Sequence, residues 1–288
     1  MSASFWLEAG INVDTGAGTP TSTNNQPSGT PASLGGAQGL TFNRRSTVSL
    51  AGTWGELRLG RDFSAHYYRF IYDPYGNNGV GASQTFVGAP TTAINRVSNQ
   101  IAYFLPVNIG GVYGLVEYHL GENASGPTQK DGSGGGLRMG WSRGPVDVSV
   151  TYARTSYSPT ATLGDITSST VGARYDFESV SVMGQYVRDR VASTAAFTGK
   201  GANIAAIWRV GAGEIKSMYS QYGTDAAGQP ETKKLSLGYV HNLSKRTAVY
   251  GHYARVSNSG GATTALNGAT TAANQSSSGV DVGVRHSF

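Results

Sequence analysis

Cysteine is absent from the 288 residues, and charged residues make up only 14% of them. The absence of cysteine excludes a disulfide scaffold, a cysteine nucleophile and a zinc site with cysteine ligands. No stretch reaches the roughly 18 consecutive apolar residues of a membrane-spanning helix, which excludes a helical membrane protein. The charged fraction is also well below the average of about 25% for soluble domains.

Helical and catalytic patterns are missing as well. Apolar residues do not recur with helical spacing in any segment. No H-E-x-x-H, P-loop or G-x-S-x-G pattern occurs, and the five histidines lie in different segments. We therefore expect neither a cofactor nor a catalytic site. The N-terminal residues lack the basic and apolar regions of a secretory signal, so either a signal has been removed or the chain begins inside a longer one.

Alternation of apolar and polar residues with a period of two is the dominant pattern of the chain. At its end, Val280, Val282 and Val284 fall on one face of a strand, with Asp281 and Arg285 on the other. Most segments of this kind are close to the 9–11 residues, roughly, that a tilted strand needs to cross a membrane. The predicted strands are 3–13, 40–51, 55–62, 96–105, 111–121, 136–143, 146–155, 167–176, 180–190, 201–210, 213–222, 232–242, 246–257 and 278–288.

The connections between these strands alternate between short and long. The short ones lie at 52–54, 106–110, 144–145, 177–179, 211–212 and 243–245, and the long ones at 14–39, 63–95, 122–135, 156–166, 191–200, 223–231 and 258–277. In an up-and-down barrel every second connection lies at the same end. Membrane barrels place short turns on the periplasmic side and long loops on the extracellular side.

A transmembrane antiparallel β-barrel is therefore the predicted fold, in one domain that spans residues 1–288. A soluble β-sandwich would also show alternating strands and turns. It does not predict that all tight turns lie at one rim, and the chain has too few large apolar residues for so large a core.

The net charge is +5, and the sequence pI is near 9.3. Basic residues that bind a nucleic-acid backbone usually cluster on one face or along one helix. Here they are distributed along the chain, one or two to a segment. Nucleic acid is therefore a weak interpretation of the basic charge, and a membrane surface or small anions remain as alternatives.

Three stretches resemble a known family. The first runs from Phe42-Asn43-Arg44-Arg45 to Leu50 and is followed by Trp54-Gly55-Glu56-Leu57-Arg58-Leu59-Gly60-Arg61; the second is 238–248; the third is 282–288, which ends at Phe288. Together they are similar to the general porins of the Gram-negative outer membrane, in the β-proteobacterial branch that includes anion-selective members. The resemblance runs from about residue 3 to the end.

The resemblance implies an outer-membrane barrel of sixteen strands that assembles as a homotrimer among lipid and lipopolysaccharide. About fourteen strands are found here, and the two strands and first loop that the family has ahead of residue 3 are not among them. Either the sheet closes with fourteen strands, or these residues are a fragment of a longer barrel. It also implies that the loop 63–95 folds into the pore, and that Phe288 serves as the signal read by the outer-membrane assembly machinery.

The resemblance further implies a ladder of arginines on the wall that faces this loop. The family's ladder motif matches the pair Arg44 and Arg45 and also Arg96 in this sequence. Strand parity favours Arg45 for the lumen, because Val48 and Leu50 should face lipid, whereas a bulge would favour Arg44. Further candidates have three roles: Glu8 and Asp73 are expected to be the acidic groups at the constriction, Arg58 and Arg61 second-line members of the ladder, and Arg138, Arg174 and Lys216 lumen residues at other heights. The alternative is that these are surface charges near a rim.

The function expected from these features is passive diffusion of small hydrophilic solutes and ions, with a preference for anions. A substrate-specific channel is one alternative. A barrel enzyme or an adhesin is another, and conductance in a planar bilayer would distinguish them.

Overall fold

The computed structural model describes residues 1–12, 15–19, 22, 24–26, 39, 41–76, 79–83, 95–107, 109–266 and 269–287. Phe288 and part of the predicted loop 63–95 lie outside these residues. Within them, no helix is long and apolar enough to cross a membrane.

Fourteen antiparallel strands make up one sheet within the described residues, and each strand pairs with its neighbours in the chain. The strands are β1 Ser2–Glu8, β2 Arg45–Gly52, β3 Gly55–Phe63, β4 Arg96–Phe104, β5 Val112–His119, β6 Gly134–Arg143, β7 Val146–Thr155, β8 Asp165–Asp176, β9 Val180–Ala192, β10 Phe197–Val210, β11 Gly213–Thr224, β12 Glu231–Asn242, β13 Thr247–Ser259 and β14 Ser277–His286.

The period of two separates the sheet into an apolar face and a polar face. On β7, Val150 and Tyr152 are exposed, while the alternate residues Ser149 and Thr151 are buried. Successive side chains of a strand point to opposite faces, so the same division continues through the paired neighbours. One face of the sheet is therefore an apolar surface, and the other carries hydroxyl, amide and charged groups.

Glycines with positive φ open two of the tightest turns. Gly144 (φ 60°) joins β6 to β7, and Gly211 (φ 56°) joins β10 to β11. Two-residue hairpin turns that match the twist of the strands need this left-handed conformation, which a residue without Cβ adopts freely.

Most strand limits differ from the prediction by one or two residues, and the larger differences are at β1, at the start of β2, which is Arg45 rather than residue 40, and between β9 and β10. β1 ends at Glu8 rather than at residue 13, because the chain turns there: Ile11 pairs with Gly18, and the Gly10 N–H donates to Asn43. β9 and β10 are longer than predicted, so their connection 193–196 is no longer than the turn 243–246. The alternation of short and long connections is therefore not strict at this position.

Candidate functional site

The connection from β3 to β4 crosses the polar face of the sheet. We call its described residues, 64–76 and 79–83, the crossing loop. It begins with a 3₁₀ helix, Ala65–Phe70, that packs against β6 and β7. The Ser64 hydroxyl caps this helix by accepting the His66 N–H at 3.2 Å.

At the start of the crossing loop, the buried His66 lies close to the buried His119 of β5. Glu117 on β5 accepts the Ala65 N–H at 3.2 Å and lies 2.9 Å from Nδ1 of His119. Thr155 lies between His119 and His66. Burial lowers the pKa of His66 well below its ordinary value, and the charges of Arg69 and His119 act in the same direction. His66 is therefore neutral in this arrangement.

An ion pair fixes the middle of the crossing loop. Arg69 donates to Asp189 on β9 and to Ser168 on β8, and both charged side chains are almost fully buried. Tyr222 on β11 donates to the second oxygen of Asp189 at 3.0 Å. A charge in such a position needs its partner, because an unpaired buried charge is costly.

Tyr72 extends this attachment along the sheet. Its hydroxyl donates to Asp147 at 2.6 Å and contacts Ser149 at 3.0 Å, while Asn203 donates to its carbonyl at 3.2 Å. Gly172 on β8 lies under the ring, and a Cβ at that position would come within 2.3 Å of it. The absence of a side chain there lets the ring approach the sheet closely.

The far end of the crossing loop reaches β11, β12 and β14. Lys216 donates to the Pro74 carbonyl at 2.9 Å, and the Tyr75 hydroxyl donates to the Lys216 carbonyl at the same distance. Lys234, which is 1% exposed, donates to the Ala82 carbonyl, and Asp281 accepts the Val80 N–H at 2.8 Å. The crossing loop is thus bonded to strands from β5 to β14 on one face of the sheet.

Asp73 lies inside this loop and not beside the arginines of the predicted ladder. Its carboxylate accepts N–H groups from Tyr75 at 2.8 Å and from Ser83 at 2.6 Å. Burial raises the pKa of Asp73 to about 6, and the two hydrogen bonds and the charges of Lys234 and Lys216 oppose that rise. Its position makes it part of the loop's own scaffold.

The ends of β1, β2 and β3 bring together another group of charges. The register is continuous from Ser2 opposite Ala51 to Glu8 opposite Arg45. Parity therefore places Arg45 on the same face as Thr47. Arg45 lies 3.2 Å from Asp62, which also pairs with Arg58 at 2.7 Å, and Arg58 pairs with Glu56 at 2.8 Å.

Arg44, Arg61 and Arg96 surround this group. Arg44 pairs with Glu8. Arg61 donates to the Asn43 carbonyl at 2.6 Å and to the Ser98 hydroxyl at 2.9 Å. Arg96 is close enough for its charge to interact with those of Arg44 and Glu8. The structure therefore brings together Glu8, Arg44, Arg45, Arg58, Arg61 and Arg96, and it places Asp73 elsewhere.

Two features bring Arg96 next to the crossing loop. The register between β3 and β4 shifts between Gly60 and Asp62, and Asn99 takes a positive φ of 57° there. Arg96 is then opposite Phe63 and lies 4.2 Å above its ring, and the ring is stacked on Tyr67 of the loop. A bulge of this kind re-aims side chains locally.

Arg138 on β6 reaches the same loop from the other side. Its guanidinium lies 4.8 Å from the Tyr68 ring and 4.6 Å from the Tyr113 ring, and it donates to the Tyr113 hydroxyl at 3.1 Å. Burial raises the pKa of Tyr68 to about 12. Among the described residues, neither Arg138 nor Arg96 forms an ion pair. The charges of Glu8 and Asp62 reach Arg96 without direct contact, and the Tyr113 hydroxyl that accepts from Arg138 donates to Asp147 at 3.0 Å.

Sequence reasoning placed Arg138 only by parity and did not find Asp62, Asp147 or Asp189. Asp62 carried a local signal, because it lies four residues after Arg58 on the same strand. Arg174, also placed by parity, pairs with Asp176 at 2.7 Å, near the short turn of β8 and β9.

Comparison with known proteins decides what this arrangement is. Residues 1–261 match the family described as Gram-negative porin. The chain belongs to that family. The sheet is therefore an antiparallel β-barrel of the outer membrane, and this porin is a passive diffusion channel. The polar face lines the lumen, the apolar face meets lipid, and the crossing loop lies inside the lumen.

Individual relatives agree with this membership. Outer membrane porin protein 32 of Delftia acidovorans is 31% identical over 309 residues, which cover all of this chain and 80% of that protein. A solved structure, an anion-selective porin from Comamonas acidovorans, is 31% identical with a TM-score of 0.84 and covers 99% of this chain and 84% of that one. A trimer form of OmpT from Vibrio cholerae is 14% identical with a TM-score of 0.63 and covers 84% of this chain and 80% of that one, and it supports the fold alone.

Proposed function

We propose that this porin is anion-selective, and that the crossing loop and the wall of β2–β4 and β6 form its constriction. The observation that carries the proposal is the local charge. Six guanidinium groups lie at this wall, and four carboxylates contact them directly or through one hydroxyl: Arg44, Arg45, Arg58, Arg61, Arg96 and Arg138 against Glu8, Glu56, Asp62 and Asp147. Charge at a narrow point acts on a passing ion more strongly than charge at an open rim, where salt screens it.

The roles within this wall differ. Arg96 and Arg138 attract the anion, because neither is in direct contact with a carboxylate among the described residues. Arg45 and Arg58 share Asp62, so each contributes only part of a charge. Glu8 orients Arg44, Arg61 braces the wall through Asn43 and Ser98, and Asp73 supports the loop. Guanidinium groups are charged at every physiological pH and can meet a carboxylate or phosphate with two donors.

The anion preference also agrees with the description of the solved relative from Comamonas acidovorans, which is 31% identical. Selectivity of this kind needs only a narrow pore and the electrostatic field of the charges that line it, so the chain works as a channel and not as an enzyme. Several shallow sites let an ion enter and leave without being trapped.

We also propose a domain organisation and an oligomeric state for this porin. Residues 1–288 form one barrel domain, the whole loop 63–95 narrows its pore, and three copies assemble in a homotrimer. The outer-membrane assembly machinery reads the last strand, with Phe288 at its end. A heat-modifiable oligomer band in detergent gels would support the trimer, and a strictly monomeric mass would refute it.

Reconstitution in a planar bilayer tests the proposed function. We expect step-like conductance and a reversal potential in a salt gradient that has the sign of anion permeation. The preference should weaken as the salt concentration rises, because screening shortens the reach of the arginines. A cation preference would contradict the proposal, and saturable current that one solute blocks would indicate a substrate-specific channel instead.

A further inference from the structure

A cavity of about 310 Å³ lies on the periplasmic side of the crossing loop, against the wall of β11–β14. This position follows from the chain, because the lining residues Lys216, Val240 and Tyr250 each lie a few residues from a short turn, and short turns are periplasmic. The volume is at the lower end of the roughly 300–1,000 Å³ of small-ligand sites. None of the lining residues belongs to the wall of β2–β4 and β6, so this cavity is independent of the anion preference proposed above.

Three aromatic rings form one side of the cavity. The Tyr250 ring is stacked on His252 of β13 with the centroids 4.9 Å apart, and the Tyr75 ring of the crossing loop meets His252 edge-on at 5.1 Å. Two glycines make room for these rings. A Cβ at Gly238 would come within 2.4 Å of the His252 ring, and one at Gly283 within 2.5 Å of the Tyr250 hydroxyl. The rings therefore offer a planar ligand faces and edges against which it can pack.

Most of the charges at this cavity already have partners. Asp281 accepts the Val80 N–H at 2.8 Å through one oxygen, and its other oxygen lies 3.0 Å from Nδ1 of His252. Lys216 lies 3.2 Å from Glu214 and also donates to a carbonyl of the crossing loop. These groups satisfy one another, so they leave little net charge for a ligand.

Arg285 on β14 is the charge without such a partner. It is exposed, and it lies four positions after Asp281, so the alternation of the strand places it on the same lumen face. In the part of the chain that the structure describes, no carboxylate pairs with it. A guanidinium group can bind a carboxylate through two parallel N–H donors. The cavity therefore combines one available carboxylate-binding group with an aromatic surface.

We propose that this cavity binds a small aromatic monocarboxylate, of the benzoate type, as the solute passes the crossing loop toward the periplasm. The carboxylate of the ligand meets Arg285, and its ring packs against Tyr75 and Tyr250. A phosphate or a dicarboxylate fits less well, because only one guanidinium is available and the carboxylates of Asp281 and Glu214 lie nearby. Binding is weak, since a solute must leave the pore as readily as it enters.

Equilibrium dialysis of radiolabelled benzoate against the porin in lipid nanodiscs tests this site, with empty nanodiscs to subtract partition into lipid. Refolding in vitro makes each variant independent of the assembly machinery. Wild type should bind benzoate saturably, with one molecule per chain. Arg285→Gln should weaken binding at least tenfold, because it removes two charge-assisted hydrogen bonds. Tyr250→Leu should weaken it about threefold, because it removes one ring. Cyclohexanecarboxylate, which keeps the charge but not the aromatic ring, should compete less than unlabelled benzoate, and benzylamine should not compete.

Arg246→Gln is the matched control, because Arg246 is also exposed at the periplasmic end but lies in the turn before β13 and does not line the cavity. This control should bind benzoate within twofold of wild type, and a wild-type denaturation midpoint shows that each variant has folded. Unchanged binding in both Arg285→Gln and Tyr250→Leu would overturn the proposal. Equal competition by cyclohexanecarboxylate would overturn the assignment to an aromatic ligand, and stronger competition by free phenylalanine would assign the cavity to amino acids instead. An anion-selective wild type that binds no benzoate would overturn this site alone, whereas benzoate binding by a cation-selective wild type would contradict only the proposed function.

Discussion

Two walls of the lumen use their charges differently. At the wall of β8–β12, charged groups hold the crossing loop: Asp189 binds Arg69, and Lys216 and Lys234 donate to loop carbonyls. At the wall of β2–β4 and β6, Arg96 and Arg138 lie over aromatic rings. We call these the anchoring wall and the arginine wall.

The difference shows how a diffusion pore can be both rigid and attractive to ions. A buried charge that has all its hydrogen-bond and ionic partners holds the crossing loop in position. It attracts a passing ion only weakly, because its field is compensated by those partners. A charge on an aromatic ring is held in place by cation–π attraction and stays available to an anion. The anchoring wall should therefore govern stability and pore width, and the arginine wall should govern selectivity.

The largest effect is expected from Asp189→Asn in the anchoring wall. The change leaves Arg69 buried without its carboxylate, and breaking a buried pair in this way costs about 3–5 kcal/mol. We expect a lower thermal denaturation midpoint and a larger, noisier single-channel conductance, because the loop loses its central attachment. Both are measured on protein purified in detergent and then reconstituted.

The double variant Arg69→Met with Asp189→Leu is the control for this change. It removes both charges, so it should be less destabilised than Asp189→Asn. If Asp189→Asn had the wild-type conductance and midpoint, the ion pair would not anchor the loop.

A smaller effect is expected from Gly172→Ala. The added Cβ would lie 2.3 Å from the Tyr72 ring, so the ring and its hydrogen bond to Asp147 must move. Overpacking of this kind costs about 1–3 kcal/mol. Single-channel conductance should change measurably, while Gly251→Ala, whose Cβ finds its nearest atom at 3.6 Å, should behave as wild type. Equal conductance in all three proteins would mean that Tyr72 does not set the position of the loop.

The smallest effect is a pH dependence from Asp73. Its pKa of about 6 lies above the ordinary 3.8, so between these values the folded protein binds more protons than the unfolded chain. The stability it contributes therefore falls as pH rises through this window and is constant below it. The denaturation midpoint of wild type relative to Asp73→Asn should decrease from pH 4 to pH 7, roughly the range between the two pKa values. A difference that does not vary with pH would contradict the assignment.

Much of the barrel could be predicted because its pattern is local. Alternation identified each of the fourteen strands of the described residues, and parity separated Arg45 from Val48 before any contact was known. The end of β1 was not predictable in this way, since it depends on Asn43 reaching back to Gly10. The length of 193–196 was missed because polar residues continue the pairing of β9 and β10 beyond the apolar belt.

The contacts of the loop could not be read from the sequence. Arg69 and Asp189 are 120 positions apart, and nothing near either residue identifies the other. The position of Asp73 depends on the fold of the loop around it, and that of Arg96 depends on the register shift opposite Gly60. Such features arise from packing across the barrel rather than from spacing along a strand.

The reversal potential in a salt gradient tests the central claim most directly when three proteins are compared. Wild type should prefer anions, and Arg45→Ser with Arg96→Ser should move the permeability ratio toward equality. Arg188→Ser with Lys200→Ser removes the same net charge from exposed outward positions of β9 and β10 and should leave the ratio at its wild-type value. An equal shift in both double variants would show that total charge, and not the arginine wall, sets the preference, and no shift in the first variant would contradict the account.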